Sequence, residues 1–414
     1  RVSVDIIEEL QVDEAPMRDA SSTVSMMKWP LQSLRNLLLT FPILLVAIVF
    51  WNEYLVYYVK IGLTCRWPEG AEEDPFRVFM VSDTHLLGRF RGHWVDKLKR
   101  EWQMHRSYQT ARQLLQPEVA FFLGDLFDEG QWSNNFLLAE YADRFEDLFS
   151  CESTKMVVLP GNHDLGFHYA MHPETVAWFR RRYGRGLVDV VNIGRRPFVL
   201  ITSMALHGDG CKLCSEADRR VKEVKRSREC AQSSNSSSPA CRAALAAVEW
   251  PAAPLPPVLL QHFPLYRKDE SECADVSESD PERLKGYRDQ WEAISLPATE
   301  QLIEAIRPIA VFNGHSHRPC TKRWNRSGGS LIRPFTEWTV NSFSWRNGAA
   351  PTLLLVTMSR ENPALEPLVA TCYLPNEHFC IFLYALTGVV YLIYVVIFVK
   401  RKVVERRYSA VKQR

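Results

Sequence analysis

The sequence predicts an α/β fold built on two sheets and bracketed by two membrane-spanning helices. Three observations carry that expectation. From Phe76 onward, short β-like runs alternate with stretches of helical length and apolar spacing. Two apolar segments, 37–59 and 379–399, are long enough to cross a hydrocarbon core. The 414 residues are 46% hydrophobic and 24% charged, which is material for one large or two ordinary globular domains and excludes a disordered chain. A formal net charge of +2 gives no case for a nucleic acid partner.

In chain order, residues 1–36 read as a polar cytoplasmic arm carrying Asp5, Glu8, Glu9, Asp13, Glu14 and Asp19. Residues 37–59 follow as the first transmembrane helix. Glu53 is expected near the interface, among an aromatic belt of Trp51, Tyr54, Tyr57 and Tyr58. Residues 60–378 form the lumenal domain. The second span, 379–399, carries no charge, and the basic tail 400–414 after it is placed in the cytoplasm by the positive-inside rule. Both termini then lie on one side and the domain on the other, in contact with the bilayer at both ends.

Three features fit a lumenal placement. Asn235 and Asn325 begin N-glycosylation triplets. Of the ten cysteines, Cys65, Cys211, Cys214, Cys230, Cys241, Cys273, Cys320 and Cys372 are disulfide candidates in an oxidising compartment. Cys65 and Cys372 both fall close to a predicted span, so a bridge closing the base of the domain is geometrically reasonable.

Within the domain, the expected strands are 78–81, 119–123, 156–159, 188–193, 199–203, 258–260 and 309–312. Helices are expected over 93–115, 133–149, 173–183 and 298–306. Later runs at 337–340 and 351–358 would complete a second sheet. Residues 211–257 depart from the alternation, with two cysteine pairs, a charged run, a serine-rich stretch and a proline cluster, and read as a surface excursion held by disulfides. A four-cysteine zinc site is the competing reading, but Cys230 and Cys241 are spaced too widely for a zinc ribbon.

The chemistry lies where five apolar runs end in polar clusters. These are Ser82-Asp83-Thr84-His85, Gly124-Asp125 with Asp128, Gly161-Asn162-His163-Asp164, Gln261-His262, and Gly314-His315-Ser316-His317. Each alone is ordinary: an aspartate caps a helix, an asparagine turns the chain, and a lone histidine is more often structural than a ligand. In an α/β sheet, however, ligands gather outside the carboxyl ends of strands. Five strands could deliver Asp83, His85, Asp125, Asn162, His262, His315 and His317 to one crevice, and so many buried imidazoles and carboxylates call for a cation. Nitrogen and oxygen ligands without thiolate suit Mn, Fe or Zn. Seven are too many for one ion with an open position but suit two that share a carboxylate, the arrangement that favours an anionic phosphorus ester.

These motifs, in this order, resemble the calcineurin-like metallophosphoesterase superfamily over roughly 76–358. The resemblance implies a β-sandwich of two mixed sheets flanked by helices, and two divalent ions. Asp83, His85, Asp125 and His317 would hold the first ion, and Asp125, Asn162, His262 and His315 the second. His163 would act as the catalytic acid, oriented by Asp128, while a metal-activated water attacks phosphorus without a covalent enzyme intermediate. Glu129 stands where the superfamily's protein phosphatases carry arginine, which argues against that branch.

A narrower resemblance, to a membrane-tethered branch of the early secretory pathway, is carried by the two flanking spans and by Gly208 to Cys214, Gln261 to Tyr266, Asn341 to Asn347 and Cys372 to Pro375. It implies a manganese-dependent phosphodiesterase that removes the ethanolamine-phosphate side branch from the second mannose of GPI anchors. It would reside at endoplasmic reticulum exit sites, the intermediate compartment and the cis-Golgi. GPI-anchored proteins would supply the substrate, and cargo receptors are candidate partners. Glu337, Trp338 and Trp345 are candidates for holding the ethanolamine ammonium, against the alternative that the two tryptophans are core residues of the second sheet. Two alternatives stand beside this function: a lumenal phosphoesterase for another lipid head group or nucleotide, and a catalytically silent cargo adaptor.

Overall fold

The computed structural model describes residues 31–412, apart from 71–73, 235, 252, 282 and 328. Most of the acidic arm and the candidate glycosylation site Asn235 therefore lie outside the described residues. The first half of the chain runs α1 (Leu31–Phe50), α2 (Val56–Thr64), β1 (Phe76–Val81), α3 (Trp94–Leu115), β2 (Val119–Leu123), α4 (Asn135–Phe149), β3 (Lys155–Leu159), α5 (Asn162–Leu165) and α6 (Pro173–Tyr183). It continues through β4 (Val188–Ile193), β5 (Arg196–Ile201), α7 (Lys212–Gln232), α8 (Pro239–Ala247), β6 (Val258–Gln261), α9 (Leu296–Ile306) and β7 (Ala310–Asn313). The last elements are β8 (Cys320–Ser327), β9 (Ser330–Thr339), β10 (Thr352–Met358), β11 (Leu368–Tyr373) and α10 (Glu377–Lys412).

Two mixed sheets form the frame. One has the order β11-β10-β1-β2-β3, with β1, β2 and β3 parallel. The other has the order β4-β5-β6-β7-β9-β8, with β5, β6, β7 and β9 parallel. Alternate residues of each strand point into the space between the sheets. Phe76, Val78 and Met80 of β1 and Phe121 and Leu123 of β2 pack there against Phe198, Leu200, Leu260 and Phe312 of the second sheet. Their neighbours Phe79, Val81, Ala120 and Phe122 face the helical layer and join Tyr108, Phe145 and Phe149. Both faces are covered, which is why these strands read as continuous apolar runs rather than as an alternation.

Several expectations change. The run at 351–358 does not join the second sheet: β10 lies antiparallel beside β1 in the first, with Phe76 opposite Met358. The excursion at 211–257 is largely helical. Leu213, Ala217, Val221, Val224 and Ala231 recur at helical spacing and are buried, a face masked in the sequence by the surrounding arginines and lysines. The run expected at 337–340 is the end of β9 in the second sheet, but β8, the start of β9 and β11 were not expected, because residues such as Lys322, Arg323 and Arg326 dilute the β signal on an outer strand.

The chain divides into two compact units, Phe50–Val389 and the terminal segments Arg1–Val49 with Val390–Arg414. Two helical stretches, Thr40–Thr64 and Glu377–Glu405, are long and apolar enough to cross a membrane by length and composition. The first is interrupted by a single π-type turn at Trp51–Leu55. Within the larger unit, Asn52 Nδ2 donates to the Cys380 carbonyl at 3.2 Å and the Tyr384 hydroxyl donates to Glu53 at 2.9 Å. Glu53 thus meets a hydrogen-bond donor of the opposite helix. α10 continues through 400–412, so the basic segment expected as a tail is helical over those residues.

Three disulfides are present: Cys65–Cys372, Cys230–Cys241 and Cys273–Cys320. Cys211 and Cys214, also disulfide candidates, are free thiols. The pairing of Cys230 with Cys241 closes the α7–α8 hairpin and removes the four-cysteine zinc alternative.

Candidate metal centre and active site

Every predicted metal ligand follows the carboxyl end of a parallel strand. Asp83 and His85 follow β1, Asp125 follows β2, and Asn162 opens α5 just after β3. His262 follows β6, and His315 and His317 follow β7. The first three strands belong to one sheet and the last two to the other, so the centre sits where the two sheets' strand ends converge. Asp83, Asp125, Asn162 and His262 are each no more than 1% exposed.

The backbone is bent to deliver these side chains. Asp83, His85, Asp125, His315 and His317 all have φ between 45° and 70°, and they make up half of the ten described non-glycine residues with positive φ. That conformation is costly for residues with a Cβ and concentrates where surrounding contacts enforce it. The loop after β1 is strapped to the loop after β2 by Asp83 N–H to the Gly124 carbonyl at 3.1 Å and His85 N–H to the Asp125 carbonyl at 3.0 Å. Gly161 approaches the same place so closely that a Cβ there would collide with the backbone nitrogen and carboxylate of Asp125.

One device orients both buried aspartates. The His163 N–H donates to Asp125 Oδ1 at 2.8 Å and the His315 N–H to Asp83 Oδ2 at 3.1 Å. Each carboxylate keeps its other oxygen for the imidazoles. Asp125 Oδ2 lies 3.7 Å from His85 Nε2 and 3.2 Å from His262 Nε2. Asp83 Oδ1 lies 3.8 Å from His85 Nε2 and 3.3 Å from His317 Nε2. Two compact clusters result, Asp83-His85-Asp125-His317 and Asp125-His262-His315, with Asp125 common to both.

Unpartnered atoms test whether cations fit. Asp83 Oδ1, Asn162 Oδ1 and His262 Nε2 are buried without a hydrogen-bond partner. The Nε2 atoms of His85 and His317 face each other at 2.9 Å. His262 faces the Leu123 carbonyl through Nδ1 at 2.8 Å, and His315 faces the Trp291 carbonyl through Nε2 at 2.6 Å. In each ring the opposite nitrogen remains for a metal, the arrangement that fixes the tautomer of a ligating histidine. Orphaned oxygens and nitrogens that all point inward are what two divalent ions would satisfy.

The electrostatics agree. Burial opposes charge on His85, yet its contacts with Asp128, Asp83 and Asp125 raise its pKa to about 10. Burial likewise opposes charge on His262, and Asp125 raises it to about 9. Burial works against charge on Asp83 and Asp125 as well, and neighbouring histidines nevertheless hold both below the usual carboxylate range. His315 goes the other way, down to about 3, through burial and the charge of His262. Without metal, protons on His85 and His262 neutralise the carboxylates; a cation takes over that role.

Beside the first cluster, Asp128 Oδ1 lies 3.4 Å from His85 Nδ1 and 3.5 Å from His163 Nδ1. His163 Nδ1 also faces the Asp128 carbonyl at 3.1 Å, so Asp128 can aim this ring through both main chain and side chain. Four contributors were not assigned from sequence. Arg346 donates to Asp128 Oδ2 at 2.8 Å, and Asn347 Nδ2 lies 3.4 Å from His317 Nε2. Asp164 accepts from the N–H groups of Leu126, Phe127 and Gly161, locking the loop that carries Asp125. Ser203 accepts from the N–H groups of His262 and Phe263. Asp164 lies within the cluster that holds Asn162 and His163, but Ser203 stands 59 positions from His262, and Arg346 218 from Asp128, so only folding brings these pairs together.

The candidate substrate contacts require correction. Glu337 is fully buried and accepts from Leu265 N–H, Asn313 Nδ2 and Trp324 Nε1, so it is a strut of the second sheet. Trp345 is 4% exposed and donates to the Pro375 carbonyl. Trp338 stacks on Phe312 with centroids 5.0 Å apart. The aromatic surface near the centre is instead Phe167, Tyr169 and Trp291: Phe167 lies 4.6 Å from Trp291 and 6.4 Å from His315, and Tyr169 is 72% exposed. Glu129 accepts from the N–H groups of Phe90 and Arg91, securing the loop after β1. Asn325 is exposed on β8, where a glycan could attach.

The profile of the calcineurin-like phosphoesterase family matches residues 76–319. Over 367 residues the chain is 43% identical to the Metallophosphoesterase 1 homolog of Caenorhabditis elegans, covering 87% of this chain and 92% of that protein. It is 37% identical over 354 residues to Metallophosphoesterase 1 of Rattus norvegicus, covering 83% and 84% respectively. Among solved structures, a purple acid phosphatase from yellow lupin aligns with a TM-score of 0.37 and 11% identity, covering 73% of this chain and 55% of that one, a likeness too weak to bear on function.

Proposed function

The chain belongs to the calcineurin-like phosphoesterase family and is a metal-dependent phosphoester hydrolase, and from that premise we propose that it is a membrane-anchored phosphodiesterase acting on the ethanolamine-phosphate branch of the second mannose of GPI anchors. The observation that carries the hydrolytic reading is Asp125. One of its oxygens is held by the His163 N–H, and the other faces imidazoles of two separate clusters. Asp83, His85, Asp125 and His317 would hold one ion and Asp125, Asn162, His262 and His315 the other, with manganese the proposed metal. When bound, the ions supply Lewis acidity toward a phosphoryl oxygen and lower the pKa of the attacking water.

The chain's own residues supply the remainder. His163 Nδ1 faces the Asp128 carbonyl with the Asp128 carboxylate beside it, which leaves Nε2 as the nitrogen that can give a proton. Transfer of a proton from His163 Nε2 to the departing alcohol oxygen would complete cleavage of the phosphorus–oxygen bond. Arg346 restrains Asp128 from the far side, so that the carboxylate keeps its aim. The ring edges of Phe167, Tyr169 and Trp291 offer a ledge on which a sugar face or an ammonium group can rest.

One feature favours a lipid-linked glycan over a soluble ester. Apolar helical stretches stand at both ends of the phosphoesterase domain, where they would hold it against a bilayer. The lumen of the early secretory pathway is the proposed compartment, with GPI-anchored proteins as partners. The test is mass spectrometry of a GPI-anchored protein bearing the second-mannose branch, incubated with Mn²⁺ and either wild type or Asp125→Asn. Loss of ethanolamine phosphate with wild type alone is expected. An unchanged glycan alongside rapid turnover of an unrelated diester would overturn the substrate, and equal activity of Asp125→Asn would overturn the chemistry.

A further inference from the structure

A second metal-ligating cluster lies apart from the strand ends. His168, Asp209, Cys211 and Cys214 each place a ligand atom within 4.8 Å of all the others. His168 follows α5, Asp209 precedes α7, Cys211 caps α7 and Cys214 lies in its first turn. His168 Nδ1 is 3.5 Å from Cys214 Sγ, while its Nε2 faces Asp209 Oδ2 at 2.8 Å. Asp209 Oδ1 in turn accepts the Cys211 N–H at 3.1 Å. The cluster adjoins a cavity of about 550 Å³ lined in part by His207, Gly208, Gly210 and Cys214, so an ion can reach it.

We propose that this cluster is a zinc-class cation site, with Cys211 Sγ, Cys214 Sγ and His168 Nδ1 as protein ligands, Asp209 fixing the His168 tautomer through Nε2, and the remaining position open to the cavity. Several observations converge on it. Six other cysteines pair as disulfides, yet Cys211 and Cys214 stay unbridged with an imidazole nitrogen turned toward Cys214. Cys211 and Cys214 stand at the start of a 21-residue helix, whose field favours the thiolates that a bound cation would require. A carboxylate on the second nitrogen of a ligating histidine is the usual supporting contact. The His168 ring also stacks on His207 at 3.9 Å, which fixes its plane.

The binding step balances. Each thiol releases one proton to solvent as it takes the cation, so two thiolates neutralise the dication, and the imidazole binds without charge change. Burial holds the Cys214 thiol well above its ordinary pKa, so in the metal-free chain it keeps its proton until a cation arrives. Thiolates select a softer ion than the nitrogen and oxygen set at the strand ends. The consequence is mechanical: the ion would tie the turn before α6 to the start of α7. In that turn Phe167, beside His168, packs on Trp291, whose carbonyl faces His315 Nε2.

The inference does not rest on the proposed reaction. The full-length protein in detergent, loaded with Zn²⁺, is examined by zinc K-edge absorption. A zinc–sulfur shell near about 2.3 Å is expected. The same shell should persist in Asp125→Asn, because no residue of the strand-end clusters contributes sulfur. The double variant Cys211→Ser, Cys214→Ser should lose the sulfur shell and one equivalent of zinc, and His168→Ala should release its zinc to chelator about tenfold more readily. Zinc bound only through nitrogen and oxygen, or a Cys211–Cys214 disulfide peptide in a non-reducing digest of the wild type, would overturn the site. The wild-type spectrum decides the matter even if a variant fails to fold.

Discussion

At the residue scale the active centre depends on side chains that touch no ligand atom of the substrate. Arg346 holds Asp128, and Asp128 lies against both His85 and His163. Removing Arg346 with Arg346→Ala should lower kcat about 10- to 100-fold while leaving metal content intact, with partial rescue by Arg346→Lys, as steady-state kinetics and metal analysis would read. His163→Gln should cost about 10²- to 10⁴-fold with an alkyl leaving group and much less with a nitrophenyl ester, whose oxygen departs without a proton. The pKa shifts give a signed expectation for the metal-stripped protein. His85 and His262 have folded pKa values of about 10 and about 9, above their unfolded values. Their contribution to stability is complete below about pH 6.5 and disappears as pH rises through 9 to 10. Thermal melting in chelator should therefore show Tm falling from about pH 6.5 to about pH 10, and reloading the metal should flatten the fall.

At the element scale the site depends on how closely two loops approach. The turn after β3 presses Gly161 onto Asp125, and Asp164 three residues later gathers the N–H groups of the loop after β2. Gly161→Ala should displace Asp125 and cost about 10²-fold or more in kcat/KM, while circular dichroism stays that of the wild type. The aromatic face of the first sheet supports the same loops from below. Phe121 is fully buried between the sheets, its ring 4.8 Å from that of Phe198. Phe121→Ala should reduce unfolding free energy by about 3–5 kcal/mol in a denaturant titration.

At the scale of the whole molecule, Cys65–Cys372 joins residues 307 positions apart, one just past α2 and the other in β11. It closes the phosphoesterase domain at the ends that lead into the two apolar helical stretches. Cys65→Ser with Cys372→Ser should lower stability by about 2–5 kcal/mol, read as an earlier unfolding midpoint, and should leave kcat near the wild-type value because β10 separates β11 from β1 and neither cysteine belongs to the centre's clusters.

The order and spacing of Asp83, His85, Asp125, Asn162, His163, His262, His315 and His317 were legible in the chain because each follows a short apolar run at a strand's carboxyl end, a local pattern that needs no knowledge of contacts. So were the two apolar helical stretches, since length and absence of charge are properties of a segment alone. What surrounds those residues was decided by tertiary packing. Glu337 looked available to an ammonium group and is instead a buried acceptor for three donors. Arg346, Asp164 and Trp291 gained their places from contacts between distant segments. Strand 352–358 went to the first sheet, not the second, for the same reason. A short motif can specify which atoms offer lone pairs, but burial, tautomer and aim depend on neighbours brought in from other sheets and loops, and those are fixed only when the chain has folded.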